Sequence, residues 1–153
     1  MTNITVQMPI NHSITVLSDG KFITATVFDM DIPDNPDGIC HAAAKQLDEY
    51  FDGRRKAFDL PYSIDNLGTP FFRSILHAIE KIPYGSTVTY KDVAASVNSA
   101  AVRATGSALK KNPLPIIIPC HRIVPASGGY GNYMGGTGND IKRFLLALEK
   151  GNG

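Results

Sequence analysis

Apolar and β-branched positions cluster over residues 3–8, 12–18 and 21–28, which are rich in Ile, Val, Thr and Phe. Turn residues Pro9-Ile10-Asn11 and Asp19-Gly20 separate them, so the pattern predicts a β-meander. DMDIPDNPDG, 29–38, has loop composition. Ile39 to Phe51 then predicts a helix with Leu47, Tyr50 and Phe51 on its apolar side and Gly53 as its stop. The stretch 59–70, DLPYSIDNLGTP, has the composition of a linker.

Beyond it the period becomes helical. Thr69 can cap and Pro70 suits a first turn, with Phe72, Ile75, Leu76 and Ile79 following at helical spacing and Pro83-Tyr84-Gly85 ending the run. Thr89-x-x-Asp92 has the form of a capping box ahead of Val93, Ala94 and Val97. After Asn98-Ser99 a second helix is expected from Ala100 to Lys110, completing a helix-turn-helix with Arg103 near its start and Lys110-Lys111 at its end. A last helix, Asp140 to Glu149, is expected to pack through Ile141, Phe144, Leu145 and Leu148. Between these helices, NPLPIIIPCHRIVPASGGYGNYMGG is too rich in Pro and Gly for a long helix or a central strand. It predicts a shaped loop whose strand-like core, Ile116-Ile117-Ile118, delivers Cys120 to a fixed position.

These elements make a mixed α/β (α+β) chain of two domains, 1–66 and 67–153. With 153 residues, 43% hydrophobic and 19% charged, each half has the means to build a core. No apolar run approaches the ~18 residues that cross a bilayer, and the start MTNITVQMPI has no secretory signal features. Two cysteines are too few for a disulfide scaffold, so a soluble intracellular protein with free thiols is expected. Cys40-His41 with His77 fall short of a zinc site, because four well-spaced ligands cannot be found.

Charge separates the halves further. Residues 1–66 carry five Lys and Arg against ten Asp and Glu, net −5, whereas residues 67–153 carry ten against four, net +6. Val93 to Asn139 holds no acidic residue but includes Arg103, Lys110, Lys111 and Arg122. Such clustering points to an anionic partner for the second half.

A thiol attacks only as thiolate, and three neighbouring isoleucines would raise the pKa of Cys120 and silence it. His121 and Arg122 can reverse this by accepting the proton or favouring the anion. In an extended strand adjacent residues face opposite ways, so direct contact of His121 with the thiol requires a turn, or else a relaying water. A late carboxylate such as Glu149 is a candidate to orient the imidazole. From residue types alone, a buried structural cysteine and a nucleophile both remain open.

Pro119-Cys120-His121-Arg122-Ile123-Val124, with Asn112-Pro113 ahead and Gly131-Asn132-Tyr133-x-Gly135-Gly136 behind, resembles the O6-alkylguanine-DNA alkyltransferases, also called methylated-DNA–protein-cysteine methyltransferases. The resemblance covers about residues 70–150. It implies a ribonuclease-H-like N-terminal domain with a small antiparallel sheet and helix, and a mainly helical C-terminal domain holding the helix-turn-helix and the active-site loop. It implies direct, single-turnover repair in which Cys120 accepts the alkyl group from guanine O6, and less readily from thymine O4, after the nucleotide is flipped out. His121 then matches the base acting through water, Glu149 the carboxylate orienting it, and Asn112 the joint between recognition helix and active-site segment. Arg103 matches the finger entering the duplex, and Tyr90 the tyrosine contacting the phosphate and the base. Arg122, Ile123 through its carbonyl, Tyr133, Met134 and Gly135 fall in the DNA- or substrate-contacting set. Met134 stands where a small residue is common in the family.

No cofactor or metal is implied. The implied partner is double-stranded DNA containing O6-alkylguanine, with no membrane; a monomer located in the cytoplasm is expected, nucleoid-associated in a prokaryote and nuclear in a eukaryote. Two other readings fit parts of the pattern: a non-catalytic alkyl-lesion DNA-binding protein, which would not need Cys120, and a Cys-His hydrolase, which would leave Arg103 and the helix-turn-helix idle.

Overall fold

The computed structural model describes residues 1–131, 133, 134 and 138–152. The chain divides into two compact units, Met1–Ser63 and Ile64–Gly153.

In the first unit β1 (Thr2–Gln7), β2 (Ser13–Ser18) and β3 (Ile23–Phe28) form an antiparallel sheet in that order. The β1–β2 register pairs Ile4 with Val16 and Val6 with Ile14, while β2–β3 is shifted between Leu17 and Ser18. Helix α1 (Gly38–Phe51) packs on β1 and β2 through Cys40, Ala43, Leu47, Tyr50 and Phe51, a spacing that repeats one helical face. Asp37 caps it by accepting from the Cys40 amide at 2.7 Å. The same carboxylate accepts from the hydroxyls of Thr2 at 2.6 Å and Ser18 at 2.8 Å, tying the helix start to both strands.

The second unit begins its helices where local capping dictates. α2 (Pro70–Glu80) has Pro70 in its first turn and Thr69 accepting from the Phe72 amide, and it buries Ile75, Leu76 and Ile79. α3 (Tyr90–Ser96) opens with the complete capping box of Thr89 and Asp92. Asn98, at φ 57°, turns the chain into α4 (Val102–Lys110), and α2, α3 and α4 pack on one another. α4 starts two residues later than expected: its N-cap is Ala101, whose amide is held by Ser99 Oγ.

Three further differences from the sequence expectation position the site. Ile116-Ile117-Ile118 is not strand-like but a tight turn. Ile118 N donates to Leu114 O at 2.8 Å, and Ile116 takes φ 74°, a costly backbone state for a β-branched residue. Secondly, β4 (Val88–Thr89) and β5 (Ile123–Val124) pair in parallel, Val88 with Ile123 and Thr89 with Val124. This short ladder joins the entry of the helix-turn-helix to the exit of the cysteine segment. Thirdly, α5 (Asn139–Asn152) runs past Glu149 and buries Ile141, Lys142, Leu145 and Glu149. Phe144 and Leu148, expected on the packed face, are only half-buried. The helix is rotated toward its two charged residues because both find partners inside.

Candidate active site

Cys120, His121 and Arg122 form one turn of 3-10 helix, closed by the amide of Arg122 donating to Pro119 O at 3.0 Å. The backbone therefore turns where an extended strand would have sent Cys120 and His121 to opposite faces. Asn112 steadies the approach. Its Nδ2 donates to Ile118 O at 2.9 Å and its Oδ1 accepts from the Leu114 amide at 2.9 Å, so one buried amide clamps the strained turn immediately after α4.

His121 is wholly buried. Its Nε2 donates to Glu149 Oε2 at 2.7 Å. A carboxylate only accepts, so this bond fixes the proton on Nε2 and leaves the Nδ1 lone pair as the basic site. Nδ1 is buried and has no hydrogen-bond partner among the described residues. Burial holds the imidazole pKa below its ordinary value despite the Glu149 carboxylate, which pulls the other way. The resting imidazole is therefore neutral and able to accept a proton.

Glu149, 1% exposed, is surrounded by donors. Arg122 Nε reaches its Oε1 at 2.8 Å, Arg122 Nη2 its Oε2 at 3.1 Å, and the Gly85 amide its Oε1 at 3.3 Å. The expectation that Arg122 contacts DNA or substrate is corrected here. Its guanidinium is buried, forks onto Glu149, donates through Nη1 to Ile82 O at 2.7 Å and lies 5.7 Å from the centre of the Tyr84 ring. A forked, fully engaged guanidinium neutralises the carboxylate rather than facing outward.

Cys120 is buried, and burial pushes its thiol pKa up. Hydrogen bonding from the Asn112 and Tyr133 side chains and the positive charge of Lys142 act in the opposite direction without overcoming it. The thiol borders a cavity of about 470 Å³ whose walls include Tyr90, Arg103, Lys110, Tyr133 and Met134. Tyr90, the first residue of α3, has its hydroxyl pKa raised by burial and by the nearby thiol. Gly131, at φ 71°, allows close approach: a Cβ there would lie 2.9 Å from Pro125 and 3.5 Å from the Tyr90 hydroxyl. Arg103 is exposed on α4 and makes no ion pair among the described residues. Tyr133 is buried with its amide on Asn139 Oδ1, and Met134 takes φ 52°. Gly135 lies outside the described residues.

One residue of this constellation escapes the sequence reading. Lys142 is 1% exposed, and its Nζ donates to the carbonyl of Ile123 at 2.6 Å. Burial lowers its pKa to about 8 against the attraction of Cys120. The signal was a spacing: Lys142, Leu145 and Glu149 sit at i, i+3 and i+7, one face of α5. Among the described residues no group of three or more His, Cys, Asp or Glu is placed to hold a metal ion. No helix among them is long and apolar enough to cross a membrane.

Residues 70–151 match the family model described as 6-O-methylguanine DNA methyltransferase, DNA binding domain. The chain belongs to this family. It is 48% identical over 109 residues to the constitutive methylated-DNA–protein-cysteine methyltransferase of Bacillus subtilis (strain 168), a match that spans 71% of this chain and 64% of that protein. The O6-methylguanine methyltransferase of Mycobacterium tuberculosis superposes with TM-score 0.85 at 34% identity, covering 99% of this chain and 94% of its own. A crystal structure of Mycobacterium tuberculosis OGT in complex with DNA matches with TM-score 0.85 at 35% identity, covering 98% and 93%.

Proposed function

We propose that this protein repairs double-stranded DNA by transferring an alkyl group from O6 of guanine, and less readily from O4 of thymine, to Cys120. The observation that carries the reading is His121, whose Nε2 is locked on Glu149 while its buried Nδ1 is left as a proton acceptor beside the cysteine turn. Through an intervening water, Nδ1 takes the thiol proton, and Glu149 stabilises the imidazolium that forms. Sulfur attacks the alkyl carbon; the S–C bond forms as the C–O6 bond breaks, and the electron pair departs with guanine. The guanine anion regains a proton, so the net exchange is S–H and O-alkyl for S-alkyl and a protonated base. No cofactor enters this balance. A thioether has no internal route back to the thiol, so each molecule acts once.

Guanine O6 is inaccessible within a stacked pair, so the nucleotide must leave the helix. Arg103, a long exposed cation on α4 with the small residues Ala100, Ala101, Ala104, Gly106 and Ser107 around it in sequence, suits filling the gap from the minor groove. Tyr90 suits contact with the phosphate and base at the cavity mouth. Binding through phosphates would be independent of sequence and weakened by salt. The mycobacterial relative whose structure was solved with DNA supports DNA as the partner. A monomer acting in the cytoplasm, on the nucleoid in a prokaryote or in the nucleus of a eukaryote, completes the proposal.

The test is intact-mass analysis after incubation with a duplex carrying O6-methylguanine. One methyl gained per chain, on Cys120, with equal loss of lesion is expected. Tight binding with the lesion intact would instead indicate a lesion-binding protein, and repeated turnover of an ester or amide a hydrolase. For Arg103→Ala, repair of the duplex should fall by more than about tenfold while reaction with free O6-benzylguanine stays near that of the parent. Equal losses on both substrates would remove Arg103 from extrusion.

A further inference from the structure

The segment that follows β5 walls the cavity at both of its ends and is thinly held between them. Pro125 and Gly131 line the cavity beside Cys120. Residues 126–130 are exposed, and Gly128, Gly129 and Gly131 take φ 100°, 77° and 71°. A Cβ at Gly128 or Gly129 would meet nothing within 4 Å, so no neighbour packs there and the glycines leave the stretch many backbone states. Its backbone closes a single turn, the Gly128 amide donating to Pro125 O at 3.2 Å. Among the described residues, the one hydrogen bond or ring contact made by a side chain of 126–130 belongs to Tyr130: the Arg143 guanidinium lies 5.5 Å from the centre of its ring. Arg143 is exposed on α5 and makes no ion pair among the described residues, so the ring is its partner. α5 is itself bound to the cysteine turn, through Glu149. Three positions after Tyr130, the Tyr133 amide donates to Asn139 Oδ1 at the start of the same helix. Gly131 therefore sits between two attachments to α5.

We propose that the stack of Tyr130 on Arg143 positions Gly131, so that the cavity wall beside the Tyr90 hydroxyl keeps its shape when a purine enters. The proposal rests on Cys120 being the alkyl acceptor. Both side chains are positioning residues: neither lines the cavity, and both act through the backbone of Gly131. Gly131 is where a small displacement counts, because its Cβ position lies 2.9 Å from Pro125 and 3.5 Å from the Tyr90 hydroxyl. Without the stack, the glycine stretch gains backbone states that must be surrendered again each time a base binds. That cost falls on capture of the base. The proton transfer from Cys120 to His121 and the bond exchange at sulfur are untouched, since the groups that set them lie on the 3-10 turn and on the buried face of α5. The stack thus tunes how well the pocket holds its substrate and leaves the reactivity of the thiol alone.

The test sets two reagents against each other in a Cys40→Ser background: free O6-benzylguanine, which must enter the pocket, and iodoacetamide, which reads the thiol alone. Tyr130→Ala should raise the half-saturating concentration of O6-benzylguanine by about two- to fivefold, the factor an exposed cation–π contact supplies. Its limiting rate of alkyl transfer and the pH profile of its iodoacetamide reaction should match the parent's. Tyr130→Phe keeps the ring and should restore the parent's half-saturation. Arg143→Gln should behave as Tyr130→Ala does, and the double variant should be no worse than either single one. Additive losses, a Tyr130→Phe protein no better than Tyr130→Ala, or a loss that appears in the limiting rate or with iodoacetamide each overturn the proposal. An active parent with unchanged variants removes the stack alone. A parent that takes up no benzyl group removes the alkyl-transfer reading, and the proposal with it.

Discussion

The protein contains two buried cysteines, each close to a carboxylate that gathers several hydrogen bonds, yet only one of them is equipped to react. Cys40 lies in the first turn of α1 beside Asp37, with its Sγ 3.7 Å from the Thr2 hydroxyl. Burial raises its thiol pKa and the Asp37 charge adds to the rise, because an anion beside a thiol opposes a second anion. At Cys120 burial also raises the pKa, but the carboxylate is one residue removed, turned to the imidazole and neutralised by Arg122, while the positive charge of Lys142 acts against the rise. Nucleophilicity is thus set by which charges face the sulfur and not by burial, which the two sites share.

The largest effect should separate the two thiols completely. Cys120→Ser is expected to gain no methyl from an O6-methylguanine duplex, whereas Cys40→Ser should still gain one per chain by intact mass. Transfer to Cys40 in the Cys120→Ser protein would erase the contrast.

Next in size is the loss of each carboxylate. Glu149→Gln leaves the Arg122 guanidinium buried without a counter-charge and the imidazolium without its partner. Denaturant unfolding should show about 3–5 kcal/mol of lost stability, with at least a tenfold slower transfer. Asp37→Asn should cost visibly less, since Asp37 is half exposed and water screens what replaces it. Equal losses in the two variants would mean that the Glu149 cluster carries no special burden of buried charge.

The same contrast explains what the sequence disclosed. Both caps, Thr69 and Thr89 with Asp92, were legible because capping is settled within four residues. The three strands were legible through their Ile, Val, Thr and Phe content and the turn residues between them, each within two residues of its observed start. Cys120, His121 and Glu149 were named by motif, and the structure brings His121 and Glu149 into a direct bond. What stayed hidden was long-range. Arg122 reads as an outward cation in a basic stretch until α5 supplies Glu149 from 27 positions away. Lys142 lies outside the apolar face expected of the last helix, yet it is buried with its Nζ on Ile123 O. The Ile116 turn was mistaken for a strand because β-branched residues favour strands, whereas the Asn112 clamp overrides that preference.

The smallest effect, and the finest test of the comparison, is the pH at which each cluster yields to acid. His121 has a lowered folded pKa, so the unfolded chain binds its proton first. The stability it contributes is complete above the ordinary histidine value of about 6.5 and is lost as pH falls from there toward the folded pKa. Asp37 is also held well below its ordinary range, chiefly by the Thr2 hydroxyl and then the Cys40 amide. Its contribution is complete above the ordinary aspartate value of about 3.9 and disappears only as pH falls through its lower folded value. Thermal melts between neutral pH and strong acid should therefore show an early decline that His121→Gln removes and a late one that Asp37→Asn flattens. The early decline should come first because an imidazole leaves its neutral form at a pH where every aspartate is still ionised. If His121→Gln left the early decline in place, the neutral, proton-accepting imidazole would have to be abandoned, and with it the reason Cys120 differs from Cys40.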